Sequence, residues 1–280
     1  MKKFRDYLIV KSIGLYINLM SFLYPKYAFE LAYRLFSSPR KGKIKPNKIP
    51  TTLQQAQAIQ HNLAKHTIQT YIWKGNDEVV LLVHGWESNA SRWKKLLKHL
   101  LKTGKTIIAI DGPAHGQSSG TEFNVPLYAS FIDAIAVVYK PSILIGHSVG
   151  GNAITYYQKH YPHEIKKMVL LGAPSDFTII LKNYVALLSL NTKVYRFLKS
   201  YTQSRFEIAI DDFSAAQFIA NSTLTGMIIH DQDDQVVLWE ESQKIASAWP
   251  NAIWITTRGL GHSLHDTALY QQLVEFVNRP

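Results

Sequence analysis

Ser142-Ile143-Leu144-Ile145-Gly146-His147-Ser148-Val149-Gly150-Gly151 is the stretch that decides the fold. Ser142–Ile145 reads as a short buried strand, and Ala153–His160 just beyond it reads as a helix. A nucleophile carried on a strained strand-to-helix turn needs small neighbours, because the two backbones crowd each other there. Gly146 and Gly150 supply that room on either side of Ser148, and Gly151 lets the helix lie close to the sheet. The Ser148 hydroxyl then stands at a helix N-terminus, where the dipole favours developing negative charge.

Outward from this turn, short apolar runs alternate with amphipathic stretches. Ile68–Trp73 alternates like a half-exposed strand, whereas Val79–Val83 is continuously apolar, as expected of a strand covered on both faces. Thr106–Ile110, Lys167–Leu171, Met227–Ile229 and Ile253–Thr256 read as further strands. Helical spacing marks Ser91–Leu101, Pro126–Tyr139, Trp239–Ala248 and Thr267–Val277. This alternation predicts an α/β fold with a mostly parallel central sheet covered by helices. Residues 175–224 break the rhythm, because the two flanking strand signals are far further apart than a simple crossover needs. Their apolar residues are dense and helix-compatible, which predicts a helical cap insertion.

Composition narrows the chemistry. The chain has 280 residues, 46% of them apolar, enough for a sizeable core and too many for disorder. There is no cysteine, which excludes a disulfide scaffold, a thiolate metal site and a cysteine nucleophile, and leaves the compartment open. The 11 histidines include no HExxH pair. Thr103-Gly104-Lys105-Thr106 ends like a phosphate-binding loop, but His99 stands where that loop needs glycine, so nucleotide binding is not expected, and no cofactor is implied.

These motifs together resemble the α/β-hydrolase fold family, in its serine esterase/lipase-like branch, over roughly residues 68–280. Val83-His84-Gly85-Trp86 closes a strand where such enzymes place an oxyanion loop, and the resemblance implies the backbone N–H groups of Trp86 and Val149 as donors. Asp111-Gly-Pro-Ala114-His115-Gly116-Gln-Ser118 resembles the family's Asp-x-Pro-Gly-His-Gly-x-Ser turn, with Ala114 in place of a glycine. The acid is expected after the strand that follows the cap. His230-Asp231-Gln-Asp233-Asp234-Gln-Val-Val237 is similar to the family's His-Gly-x-x-Asp-x-x-Val, which favours Asp234 and leaves Asp233 and Asp231 as rivals. The base is expected last, and Gly259-Leu260-Gly261-His262 implies His262 over its rival His265. Chain order Ser148, Asp234, His262 is the family's order. The resemblance implies a serine hydrolase that cleaves a carboxylic ester of a small-molecule substrate through an acyl-enzyme. A thioesterase, a peptidase, an acyltransferase and a non-catalytic ligand-binding relative remain open alternatives.

The net charge of +11 sits unevenly. Residues 1–48 hold eleven Lys and Arg against Asp6 and Glu30, while the rest is nearly neutral. No basic folded face or aromatic RNA-binding motif accompanies this charge, so nucleic acid is not an expected partner. Residues 1–50 are therefore expected to form a basic helical extension and linker ahead of an α/β-hydrolase domain at 51–280. Arg5, Asp6 and Lys11 interrupt the first apolar run, which argues against a signal peptide. The uncharged run from Ser12 to Pro25 is too short to span a bilayer, and Ile13–Tyr24 reads as a docked helix. A cytoplasmic location is expected, with peripheral membrane contact through the basic segment as the competing reading. The aromatic residues of the insertion, Phe177, Tyr184, Phe197 and Tyr201 among them, are expected to line an acyl pocket.

Overall fold

Short runs of β-branched and leucine residues leave no choice but a doubly covered sheet, because every side chain in them needs burial. The computed structural model describes residues 2–279. Its strands are β1 (Gln57–Leu63), β2 (His66–Trp73), β3 (Asn76–Val83), β4 (Lys105–Ile110), β5 (Ile143–His147), β6 (Lys167–Leu171), β7 (Thr225–Asp231) and β8 (Ala252–Thr257). They form one sheet in the order β1-β2-β4-β3-β5-β6-β7-β8, antiparallel from β1 to β4 and parallel from there on. The helices are α1 (Lys2–Leu23), α2 (Pro25–Ser37), α3 (Thr51–Gln54), α4 (Lys94–Leu100), α5 (Val125–Tyr139), α6 (Val149–His160), α7 (Phe177–Leu188), α8 (Thr192–Phe206), α9 (Ala215–Ile219), α10 (Trp239–Ala248) and α11 (Thr267–Asn278).

The chain divides into two compact units. One holds Pro39–Ser175 and the residues from Ala215 onward; the other holds the residues up to Ser38 together with Asp176–Ser214. In the sheet unit Val80, Leu81, Leu82 and Val83 are fully buried. Val80 and Leu82 join Trp93, Leu96, Leu97 and Leu100 in one cluster. Each such leucine contributes roughly 1.5–3 kcal/mol by leaving water. Short polar caps fix the helix starts: Asn124 accepts from the Leu127 N–H at 2.8 Å, and Asp266 from the Leu269 N–H at 2.7 Å. Strand β1 has no counterpart in the sequence reading. Its residues, Gln-Ala-Ile-Gln-His-Asn-Leu, lie at the sheet's edge and are half-exposed, so they carry no apolar signature.

In the second unit, α1 begins well before the apolar run predicts, because Arg5 and Asp6 lie on its exposed side and cost the helix nothing. At 22 residues it is long and apolar enough, by length and composition, to cross a membrane. One face is buried: Ile17 and Ser21 have no exposure, and a Cβ at Gly14 would fall 1.6 Å from the Leu188 carbonyl oxygen. Polar bonds fasten that face to the corner between α7 and α8. Lys11 Nζ donates to the Leu187 carbonyl at 2.9 Å and to Ser189 Oγ at 2.8 Å. Asn18 donates to the Ser189 carbonyl and accepts from the Asn191 N–H, both at 2.8 Å. The aromatic residues of the insertion turn towards α2. Phe197 stacks on Phe29 at 4.2 Å, Tyr184 meets Phe36 at 5.0 Å and Tyr201 meets Tyr33 at 4.6 Å. These side chains, expected on an acyl pocket, are half-buried and pack on the aromatic residues of α2.

Candidate active site

The turn after β5 has the conformation its glycines require. Ser148 sits at φ 54° and ψ −129°, a strained left-handed position for a non-glycine residue. Its N–H donates to the Leu171 carbonyl at 2.8 Å, so the turn is pinned to the end of β6. Substituents at the flanking glycines have nowhere to go. A Cβ at Gly146 would lie 2.7 Å from the Gly150 carbonyl oxygen, and one at Gly150 would lie 2.4 Å from that of Val83. The Ser148 side chain makes no cap bond to α6 and is left available for other chemistry. Val149 is the first residue of α6, so its N–H precedes the helical ladder.

Three carboxylates lie within four residues at the end of β7, and their partners separate them. Asp234 is buried, and its Oδ2 lies 2.7 Å from His262 Nδ1. Its Oδ1 accepts from the Val236 and Val237 N–H groups at 2.8 and 3.0 Å. Burial works to raise its pKa. Contacts from His230 and His262, with those two backbone amides, outweigh burial and hold the carboxyl well below the usual range. Asp234 is thus ionised and accepts only, so Nδ1 of a neutral His262 carries the proton and Nε2 keeps a lone pair. Asp231 instead accepts from Thr257 Oγ1 at 2.7 Å and from the Leu260 N–H at 3.0 Å. Asp233 accepts from the Gly259 N–H at 2.9 Å. These two stitch the β7 loop to the loop that delivers His262. His265, the rival imidazole, lies 2.6 Å from the Tyr270 hydroxyl instead.

Ser148 and His262 meet the same short segment from different sides. Ser148 bonds to Leu171, and the Gly172 backbone lies so close to His262 that a Cβ there would sit 3.5 Å from Nδ1. Among the described residues no hydrogen bond joins the two side chains. His262 is fastened by its neighbour as well: His147 Nε2 donates to the His262 carbonyl at 2.8 Å. Burial pushes the His147 imidazole well below its usual pKa, so this donor is neutral.

The loop after β3 carries a further buried imidazole whose role sequence reasoning missed. His84 Nε2 accepts from the Gly112 N–H at 2.8 Å, which leaves Nδ1–H to donate to the Gly85 carbonyl at 2.7 Å. A trans peptide points its N–H opposite to its carbonyl, so this bond also fixes the direction of the Trp86 N–H. Among the described residues no backbone bond occupies that N–H. Gly85 lies hard against the serine, since a Cβ there would be 2.8 Å from Ser148 Cβ. Below this loop, Asp111 accepts from the Ala90 and Gln117 N–H groups at 2.8 and 2.9 Å. His115 Nε2 accepts from the Glu87 N–H at 2.9 Å. Ala114 occupies the glycine position of this turn at φ 61°, so the left-handed geometry survives the substitution. The only sequence signal for His84 and His115 was their place in the two strand-end motifs. Among the described residues no cluster of three or more His, Asp or Glu stands ready for a metal ion.

Comparison with known proteins agrees with this architecture. A serine hydrolase-like protein from Danio rerio is 32% identical over 114 residues, covering 37% of this chain and 35% of that protein. A monoacylglycerol lipase from Mycolicibacterium smegmatis is 29% identical over 103 residues, covering 34% and 37% of the two chains. The chain thus matches about a third of the length of these curated relatives. Among solved structures, alpha/beta hydrolase domain-containing protein 10 from mouse superposes with a TM-score of 0.63 at 18% identity, covering 80% of this chain and 97% of that one. At that identity the likeness speaks for the fold alone. The family model of the alpha/beta hydrolase fold matches residues 78–218, from β3 through the serine turn to α9. A match over more than half of its 280 residues, laid on this sheet and these strand-end turns, makes the chain a member of the alpha/beta hydrolase fold family.

Proposed function

We propose that the protein is a serine hydrolase that cleaves carboxylic esters through Ser148, His262 and Asp234. The 2.7 Å contact between His262 Nδ1 and ionised Asp234 carries the reading, because it leaves Nε2 as the basic atom of the ring. In this reading Nε2 takes the proton from Ser148 Oγ as Oγ bonds to the substrate's carbonyl carbon. The N–H groups of Trp86 and Val149 receive the oxyanion. The imidazolium, held by Asp234, returns the proton to the leaving alcohol oxygen as the C–O bond breaks. Water then attacks the acyl-Ser148 ester with the same base, releasing the carboxylic acid and free serine. Curated relatives that bear the names monoacylglycerol lipase and esterase support an ester over an amide.

A series of p-nitrophenyl esters of increasing acyl length, run on the wild type and on Ser148→Ala, tests the assignment. Ser148→Ala is expected to lower turnover by roughly 10³-fold or more. Near-normal turnover by a folded variant would overturn it.

A further inference from the structure

We propose that the outer face of α1 lies in the plane of an anionic lipid bilayer, and that the helical unit is a membrane-docking module. An apolar stripe on a helix needs cover. The inner face of α1 has it; the outer face does not. Phe4, Leu8, Leu15, Leu19 and Phe22 fall on one stripe at helical spacing, and they are 67%, 47%, 71%, 54% and 69% exposed. Between α1 and α2 opens a groove of about 400 Å³, lined by Ser12, Ile13, Tyr16, Leu31 and Leu35. Four of its five lining residues are hydrocarbon-rich, which suits an acyl chain better than water.

Charge selects the occupant. The helical unit holds eleven Lys and Arg against six Asp and Glu. A second copy would bring the same positive charge against it, whereas an anionic headgroup layer brings the opposite sign. Tyr7, Tyr16, Tyr24 and Tyr27 are exposed around the stripe, the residue type that prefers the headgroup level. The orientation is in-plane because the inner face is fastened by polar bonds over successive turns. Lys11, Asn18 and Ser21 are tied to the α7–α8 corner, with Lys193 Nζ donating to the Ser21 carbonyl at 2.6 Å. A bilayer-spanning placement would drag that polar corner into hydrocarbon.

Co-sedimentation of the full chain tests this, with vesicles of phosphatidylcholine alone and vesicles with about a third phosphatidylglycerol. The wild type is expected to bind the anionic vesicles at least ~tenfold more tightly than the neutral ones, and less tightly as salt rises. Leu15→Glu with Leu19→Glu is expected to abolish binding while circular dichroism and the melting temperature stay unchanged, which separates lost docking from lost fold. Equal binding to both vesicle types would overturn the proposal, as would unchanged binding by the folded double variant. A dimer that the double variant splits would assign the face to a second copy instead. Resistance of bound protein to alkaline carbonate extraction would contradict the in-plane placement.

Discussion

The strand-end loops of the sheet unit and the outer face of α1 solve opposite problems. In the loops, buried polar groups are partnered: Asp111, Asp231, Asp234 and His84 have almost no exposure, yet each has hydrogen-bond partners within the protein. On α1, apolar groups lie in the open, with Leu15 at 71% exposure. The loops have hidden their expensive groups and provided for them internally. The helix has left its cheap groups uncovered, which points outside the chain for their cover. A substitution therefore disturbs chemistry and folding in the first region, and association in the second.

The contrast is most easily broken at Asp234. Asp234→Asn is expected to lower kcat by roughly 10⁴, because an amide at that position favours the wrong imidazole tautomer. Asp231→Asn should instead cost about 1–3 kcal/mol of stability through its contacts to Thr257 and Leu260, with a smaller loss of rate. Rate and urea-denaturation measurements on both variants decide the matter, and a larger rate loss at Asp231 would reverse the assignment.

Linkage sharpens the same contrast. Burial pushes His115 down to about 4 from the usual 6.5. As pH falls, the unfolded chain binds this proton first, so the stability contributed is full above about pH 6.5 and is lost as pH falls towards 4. Asp111 has the opposite sign: burial raises it to about 6, and the stability it contributes at low pH is lost as pH rises through that value. His115→Gln removes the first effect and leaves the second. Between about pH 7 and about pH 5 the wild type should lose roughly 2 kcal/mol relative to this variant. Parallel pH profiles in chemical denaturation would contradict a neutral, buried His115. The smallest effect belongs to α1, where Leu15→Glu should change folding stability by less than about 0.5 kcal/mol in calorimetry. A larger loss would mean that the stripe is covered within the protein.

The sheet was legible because its strands are apolar runs that no surface could carry, and the serine turn because its glycines answer a steric demand. The three motifs at Ser148, Asp234 and His262 pointed to one end of the sheet. Position in the chain left three neighbouring carboxylates open, and only their partners tell them apart. Strand β1 escaped notice because an exposed edge needs no periodicity. The start of α1 was obscured by Arg5 and Asp6, whose charges mark a helix face rather than an end. The pairing of α2 with the aromatic insertion residues spans well over a hundred positions, a separation at which local pattern carries no signal.

The proposed reaction rests on Ser148 as a nucleophile poised on its strained turn. Labelling with a fluorophosphonate, followed by peptide mass mapping, tests it most directly, because the reagent bonds covalently to an activated serine oxygen. One adduct per chain is expected, on the peptide containing Ser148, abolished by Ser148→Ala and greatly slowed by Asp234→Asn. An adduct at any other serine, or none on the folded wild-type protein, would contradict it.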